Sequence, residues 1–600
     1  MPLQKQEVVP AARGTLRNPV EGYAMRSDLG SGISSRHLFA AALAGIVAVA
    51  LSIRWDGLFA IGVGGNDTIL YYSLAEQWLQ GNLVFRIGDS IGVYRPVLLG
   101  FNALALKVFG HSDYAIKLAN VLLDAVNLLL LSRLAWLLSA RRDVVLACAA
   151  SYAIMPLAIW SARQELAHTL STFFALNAFL SIWLASCVNG GRYSLVYAAL
   201  AGLCVGAAAL THEDLIFLAG PLALFLFFSR RLRGESGSFL GDCRRLVIFS
   251  AGPLTAAAII LFYESTVVKA VIGSSIVTAG REDRLFLEQF SRFYWDGVIG
   301  SASATMVIYL AIALALFGWK LVFPGGRPAR SFVLGAGFCL FTASSFVFVY
   351  AIFFGTFFPR GFLPLVPLLL IAVFYALVQL TDRVNRWLSG SLIIAAVVYL
   401  ALSNLASFSA FNVANRQFSS TWAEPVWPDR ENLERGLLEF LVDAKYIPSY
   451  ATHWRALFDA FADKVDDRQK ILVMPSTVFY AAGRRALQTQ VYFGDNAIYR
   501  LDHTDQTLEE VVKSHNVRWV VFTAGQLRGV PTRLGRYLYN GRWAEPEPLD
   551  LAAAYGLDDY SERRELAALL DFLKSVGARE VFPFPRGSFE SRRSRAWLLP

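Results

Sequence analysis

Residues 94–110, YRPVLLGFNALALKVFG, and residues 114–139, YAIKLANVLLDAVNLLLLSRLAWLLS, decide the fold. A helix that crosses a bilayer needs about 20 consecutive apolar residues. The second stretch meets that length. The apolar part of the first, 97–109, is too short to span upright and reads as a helix lying at the interface. The whole chain agrees: over its 600 residues 55% are hydrophobic, 17% are charged, and the mean hydropathy is +0.45. Ordinary soluble domains carry about 25% charged residues. This much apolar surface cannot be hidden in one water-soluble core, so a soluble globule and a disordered chain are both excluded.

Eleven candidate spans lie outward from that stretch: 38–53, 114–139, 144–160, 166–187, 194–210, 215–229, 245–263, 298–318, 331–357, 361–380 and 388–409. The first is short, has a basic flank (Arg26, Arg36) and carries Ala48-Val49-Ala50 near its end, as a cleaved signal peptide would. The 37 residues before it favour an uncleaved anchor instead. Alternate loops are basic: Arg141 and Arg142; Arg192; Arg230, Arg231, Arg233, Arg244 and Arg245; Lys320, Arg327 and Arg330; Arg383 and Arg386. The turns near 161–165 and 211–214 carry little positive charge. The positive-inside rule then expects a cytoplasmic N-terminus and a C-terminus outside. The net charge of +9 is largely this topology signal, and no nucleic-acid partner is expected.

The expected organisation is a cytoplasmic tail over 1–37, a transmembrane domain over 38–409 and a soluble α/β domain over 410–600. Two long outer loops, 54–113 and 264–297, interrupt the spans. In the tail, Ile471-Leu472-Val473-Met474 and Val517-Arg518-Trp519-Val520-Val521-Phe522 read as strands, and Thr507-Leu508-Glu509-Glu510 as a capping box opening a helix. His503, His515 and Tyr492-Phe493-Gly494-Asp495 form no catalytic constellation. Of five cysteines, Cys148, Cys187, Cys204 and Cys339 sit in apolar runs as small hydrophobes. No Cys/His spacing indicates a structural metal, no tightly bound cofactor is expected, and a divalent-cation requirement stays open.

The polar residues of the outer loops carry the chemistry. Gly64-Gly65-Asn66-Asp67 opens a segment whose Leu70, Leu74 and Trp78 recur at helical spacing, an amphipathic interfacial helix with Asp67 at its start. The plain alternative is that Asn66 or Asp67 is only an N-cap. Arg95, after Tyr94 and before Pro96, is placed to grip a phosphate with two parallel N–H groups, or to snorkel to the headgroups. Glu165 lies at the outer mouth of the fourth span, with His168 one turn later; a carboxylate there also suits the helix dipole. His212, Glu213 and Asp214 crowd one outer turn, and Arg360 stands amid Phe and Pro between the ninth and tenth spans. Asp124 lies inside the second span. Intramembrane acids often mark transport pathways, but a helix beginning near Leu118 puts Asp124 in the outer third with the other acids.

These residues resemble the motifs of the superfamily C polytopic glycosyltransferases (GT-C), which take a sugar from a polyprenyl-phosphate carrier. Relatives include the aminoarabinose transferases of lipid A, the protein O-mannosyltransferases and the rhizobial-type lipopolysaccharide galacturonosyltransferases. The resemblance runs through Asp67 with Tyr71, Tyr72 and Ala75; Arg95-Pro96 through Phe109-Gly110; Tyr114-Ala115-Ile116-Lys117-Leu118; Glu165; Gly202 and Gly206 leading to Thr211-His212; and Arg360, Phe362, Leu363, Pro364 and Pro367. It covers about residues 38–380. Two departures are visible. Asn66-Asp67 stands where relatives have an Asp-Glu pair, and His212 where they have Lys.

The resemblance implies an inverting single displacement at the outer face of a bacterial inner membrane. Asp67 would be the general base and Glu165 would orient the acceptor or a cationic neighbour. Arg95, Arg360 and His212 would bind the departing phosphate. Tyr71, Tyr94, Glu213, Asp214, Arg281 and Arg284 are candidate substrate contacts, the last two on a possible lid. The implied partners are a polyprenyl-phosphate sugar, an envelope lipid, glycan or protein acceptor, and membrane lipids. Two rival classes remain: a polysaccharide polymerase or ligase with a diphosphate-linked donor, and a lipid or sugar transporter, for which paired half-repeats would be expected.

Overall fold

The computed structural model describes residues 33–55, 58, 66–85, 94–112, 114–188, 191–232, 238–267, 327–354, 363–381, 470–474, 497–499, 507–523, 569–581 and 594–600, with isolated positions at 315, 318 and within 390–398. The helices are α1 (Ile33–Trp55), α2 (Asn66–Leu79), α3 (Pro96–Phe109), α4 (Ala115–Ser139), α5 (Arg142–Ala153), α6 (Pro156–Ala162) and α7 (His168–Cys187). Then come α8 (Arg192–Thr211), a 3-10 turn (Glu213–Leu218), α9 (Ala219–Leu232), α10 (Phe239–Val267), α11 (Arg327–Phe354) and α12 (Val366–Thr381). Among the described residues five helices, within α1, α4, α7, α8 and α10, are long and apolar enough to cross a membrane. The protein is a helical membrane protein.

Three expected spans differ in detail. The stretch 144–160 is broken into α5 and α6, because Pro156 has no N–H to continue the ladder and its ring disfavours helix just before it. The stretch 215–229 begins in the 3-10 turn, which leaves α9 only 14 residues, too few to span upright. Arg245 does not sit in a loop: it lies inside α10, buried and paired with Asp242. The spans expected at 298–318 and 388–409, and the loop 264–297, lie almost wholly outside the described residues.

Two devices hold the bundle. The first is a close crossing of α8 and α10. A Cβ built on Gly202 would land on the Phe249 carbonyl oxygen, and one on Gly252 on the Gly202 carbonyl. Only small residues let two backbones approach like this in lipid, where van der Waals packing replaces the hydrophobic effect. The second is a polar stripe on α4. Lys117, Asn120, Asp124 and Asn127 share one face by their three- and four-residue spacing, and all are buried. Asn120 Nδ2 donates to the Gln164 carbonyl at 2.7 Å and Asn127 Nδ2 to the Thr169 carbonyl at 3.0 Å, which zips α4 to the α6–α7 segment. Helix α1 adds Ala50 to the main apolar core, with Phe39, Leu43, Ile46 and Val47 packed against it.

In the tail, β1 (Lys470–Met474), β2 (Ala497–Tyr499), β3 (Val517–Thr523), β4 (Arg579–Val581) and β5 (Ser594–Leu598) form one sheet in the order β2-β1-β3-β5-β4. β1 runs parallel to β2 and β3, while β5 is antiparallel to β3 and β4. Helix α13 (Leu508–Ser514) starts in the expected capping box, Thr507 Oγ1 accepting from Glu510 N at 3.2 Å and Glu510 Oε2 from Thr507 N at 2.7 Å. Its Val511 joins Leu472, Val517, Val520 and Trp597 in a separate small core. His503 and 492–495 lie outside the described residues.

Candidate active site

Three loops and one helix meet at the junction where α8 turns into α9. Pro96 at the start of α3 fixes φ for the first helical turn and leaves Arg95 as the N-cap. Helix α2 brings Tyr71 alongside, where it packs with Leu98, Leu166 and Leu170. The turn after α8 presents His212, Glu213 and Asp214, and the start of α7 presents His168.

Arg95 is the hub. Its Nε donates to Glu213 Oε2 at 2.9 Å and its Nη2 to Glu213 Oε1 at 2.8 Å, a two-pronged ion pair across 118 residues of sequence. Its Nη1 donates to the Tyr71 hydroxyl at 2.5 Å. The Arg95 side chain is 14% exposed and that of Glu213 43%. Burial alone would raise the Glu213 carboxyl. The charges of Arg95 and His212, with the hydrogen bonds from Arg95, outweigh it and bring the carboxyl down to about 2. His212 Nδ1 lies 3.4 Å from Asp214 Oδ2, and the His212 and His168 rings lie with centroids 5.3 Å apart and planes tilted by 41°.

His212, Glu213 and Asp214 also bring ligand-type atoms within 4.8 Å of one another. This is the one grouping among the described residues that could hold a metal ion. In this structure the Glu213 carboxylate is engaged by Arg95, so the trio reads as an ion-pair network.

Glu165, between α6 and α7, is fully buried, with Oε1 3.1 Å from Lys117 Nζ, itself fully buried. The cationic neighbour is therefore Lys117, a residue that the sequence presented only as the start of a span. Asp67 is the second residue of α2, one helical turn before Tyr71. Tyr94 turns its ring to Phe85, centroids 4.6 Å apart. Arg281, Arg284 and Arg360 lie outside the described residues.

The placement of Asp124 with the acids of the outer loops is corrected. Arg54 Nε donates to its Oδ2 at 2.5 Å and the Tyr152 hydroxyl to its Oδ1 at 2.8 Å, inside the contact of α1, α4 and α5. Arg54 and Tyr152 were not legible as its partners, because neither lies on its helix. The signal that could have flagged the buried face was the 117-120-124-127 spacing on α4.

Together these features define a polytopic membrane protein with a charged, partly open cluster at one end of its helices. Residues 95–252 match the family described as dolichyl-phosphate-mannose-protein mannosyltransferase, a stretch that starts at Arg95 and ends at the Gly252 crossing. Over that stretch the chain is similar to a mannosyltransferase family, in line with the resemblance read from the sequence. No curated protein matches the chain. Among solved structures it is similar to ArnT from Cupriavidus metallidurans bound to undecaprenyl phosphate, at 14% identity over 83% of this chain and 94% of that one, TM-score 0.48. It is also similar to the oligosaccharyltransferase AglB from Archaeoglobus fulgidus in complex with an inhibitory peptide and a dolichol-phosphate, at 13% identity over 87% and 73%, TM-score 0.44.

Proposed function

We propose that the chain is an inverting glycosyltransferase that moves a sugar from a polyprenyl-phosphate carrier to an envelope lipid, glycan or protein acceptor. It works at the extracytoplasmic face of a bacterial inner membrane, its N-terminus in the cytoplasm and its C-terminus outside. Residues 38–409 form the catalytic domain, and 410–600 a periplasmic domain. The observation that carries this reading is the convergence of Tyr71, Arg95, His212, Glu213 and Asp214, from three separate segments, at one end of the bundle. The basic loops support the orientation. The name of the matched family supports a lipid-phosphate sugar as donor.

In this mechanism the acceptor hydroxyl attacks the anomeric carbon. The new C–O bond forms as the bond to the phosphate oxygen breaks, and polyprenyl phosphate leaves. Asp67 takes the hydroxyl proton. A phosphate is a good leaving group, so one base suffices. Arg95 and Arg360 neutralise the charge that grows on the departing phosphate, a role in which removal of a single donor costs about 3–4 kcal/mol of transition-state stabilisation. His212 donates to the same phosphate, and Glu165 holds Lys117. Asp124, engaged by Arg54 and Tyr152, gives the transporter reading no ion site.

The test is a panel of lipid-linked sugars offered to purified protein, scored by donor loss and product mass. Monophosphate-linked sugars should be consumed by the wild type. Asp67→Asn should insert normally and lose transfer. Wild-type transfer in that variant removes Asp67 from the mechanism, and transfer only from diphosphate-linked oligosaccharides moves the protein to the polymerase or ligase class.

A further inference from the structure

Arg95 offers Glu213 the edge of its guanidinium formed by Nε and Nη2, at 2.9 and 2.8 Å. That edge carries two parallel N–H groups at the spacing of two oxygens on one carboxylate or one phosphate. It cannot hold both at once. The two partners differ in freedom. Arg95 is 14% exposed, fixed by Pro96 at the start of α3 and by the Tyr71 hydroxyl on Nη1. Glu213 is 43% exposed and rides on a short 3-10 turn, so its side chain can swing into water.

We propose that Glu213 is a placeholder for the donor phosphate: its carboxylate occupies the phosphate-binding edge of Arg95 in the empty site, yields it to the phosphate of a polyprenyl-phosphate ligand, and reclaims it when the product leaves. The inference rests on the reading of Arg95 as a phosphate ligand. The charges of Arg95 and His212 hold Glu213 anionic far below neutral pH, so it competes as an anion under all working conditions. The product, polyprenyl phosphate, carries more negative charge than the phosphodiester donor. A carboxylate that competes for Arg95 therefore opposes retention of product most. Glu213 thus sets ligand affinity and exchange without touching the reacting atoms, and it is a positioning residue.

The test is equilibrium binding of undecaprenyl phosphate to the purified full chain in detergent micelles, for wild type, Glu213→Gln, Arg95→Gln and the double variant. Glu213→Gln should bind about tenfold more tightly, the equivalent of about 1.4 kcal/mol. Its dissociation should be slower to match. Arg95→Gln should bind more weakly, and adding Glu213→Gln to it should change nothing further. Glu213→Asp, which shortens the reach but keeps the charge, is the second variant and should tighten binding by a smaller factor. Thermal unfolding in the same micelles confirms that each variant is folded. Unchanged or weaker binding in Glu213→Gln, with Arg95→Gln weakened, overturns the placeholder and leaves the phosphate reading standing. Unchanged binding in Arg95→Gln overturns the phosphate reading and the placeholder together.

Discussion

Arg54 and Asp124, 70 residues apart, form an ion pair at 2.5 Å with both side chains 1% exposed. Each end is also satisfied elsewhere: Arg54 Nη1 donates to the carbonyls of Ala50 at 3.2 Å and Ala153 at 2.6 Å, and the Tyr152 hydroxyl donates to Asp124. A buried pair contributes little net stability over an apolar pair of the same volume, but breaking one side leaves an uncompensated charge. Arg54→Met and Asp124→Leu, each alone, should therefore destabilise the protein by about 3–5 kcal/mol. The double variant should recover most of that loss. Unfolding in detergent, followed by the loss of monodisperse protein on heating, reads the cycle.

Lys117 and Glu165 are the same kind of buried pair, and they separate a structural role from a chemical one. Glu165→Gln removes the carboxylate charge beside a buried ammonium and should lose stability on the same scale, about 3–5 kcal/mol, with transfer falling alongside. Lys117→Met combined with Glu165→Leu should restore the fold and most of the transfer, because the carboxylate is sealed from solvent. A double variant that folds normally but stays inactive would show instead that the carboxylate meets substrate.

These pairs mark where the sequence stopped being legible. Helical spacing located α2, Pro96 located the start of α3, and Thr507 with Glu510 located the start of α13, because each signal is local. The polar residues of the site were identifiable as types in particular loops. Their partners were not. Arg95 meets Glu213 across 118 residues, and Asp124 meets an arginine on the flank of α1 that reads equally well as a headgroup anchor. Charge in a membrane sequence reports topology and ion pairing in the same letters. Only the packing of α1 against α4 and α5 tells them apart. The break before Pro156 was legible in principle, but an apolar run is counted by length, and length conceals a missing hydrogen bond.

The glycines of the α8–α10 crossing should rank by the space beside them. A Cβ on Gly202 meets the Phe249 backbone, one on Gly206 comes to 2.8 Å from the Gly252 carbonyl oxygen, and one on Gly45 meets nothing within 4 Å. Backbone cannot yield as a flexible side chain does, and overpacking costs about 1–3 kcal/mol or more. Gly202→Ala should therefore be the most damaging, Gly206→Ala intermediate and Gly45→Ala silent in stability. Equal behaviour of Gly202→Ala and Gly45→Ala would mean that the two helices do not touch there.

The Arg95–Glu213 pair fixes the last expectation, a pH dependence whose sign follows from the depressed carboxyl. An unpaired glutamate titrates near 4.5, and in the folded protein Glu213 titrates at about 2. A carboxyl lowered on folding adds stability that is fully present above the unfolded value, and that is lost as pH falls through the folded one. The pair should thus be intact from pH 8 down to about 5. Below about 4.5 the wild type should lose stability faster than Glu213→Gln, down to pH near 2. Solvent at the half-open carboxylate softens the contrast without changing its sign. Thermal unfolding of both proteins at a series of pH values is the measurement. Identical curves for the two proteins down to pH near 2 would contradict a carboxylate held down by Arg95.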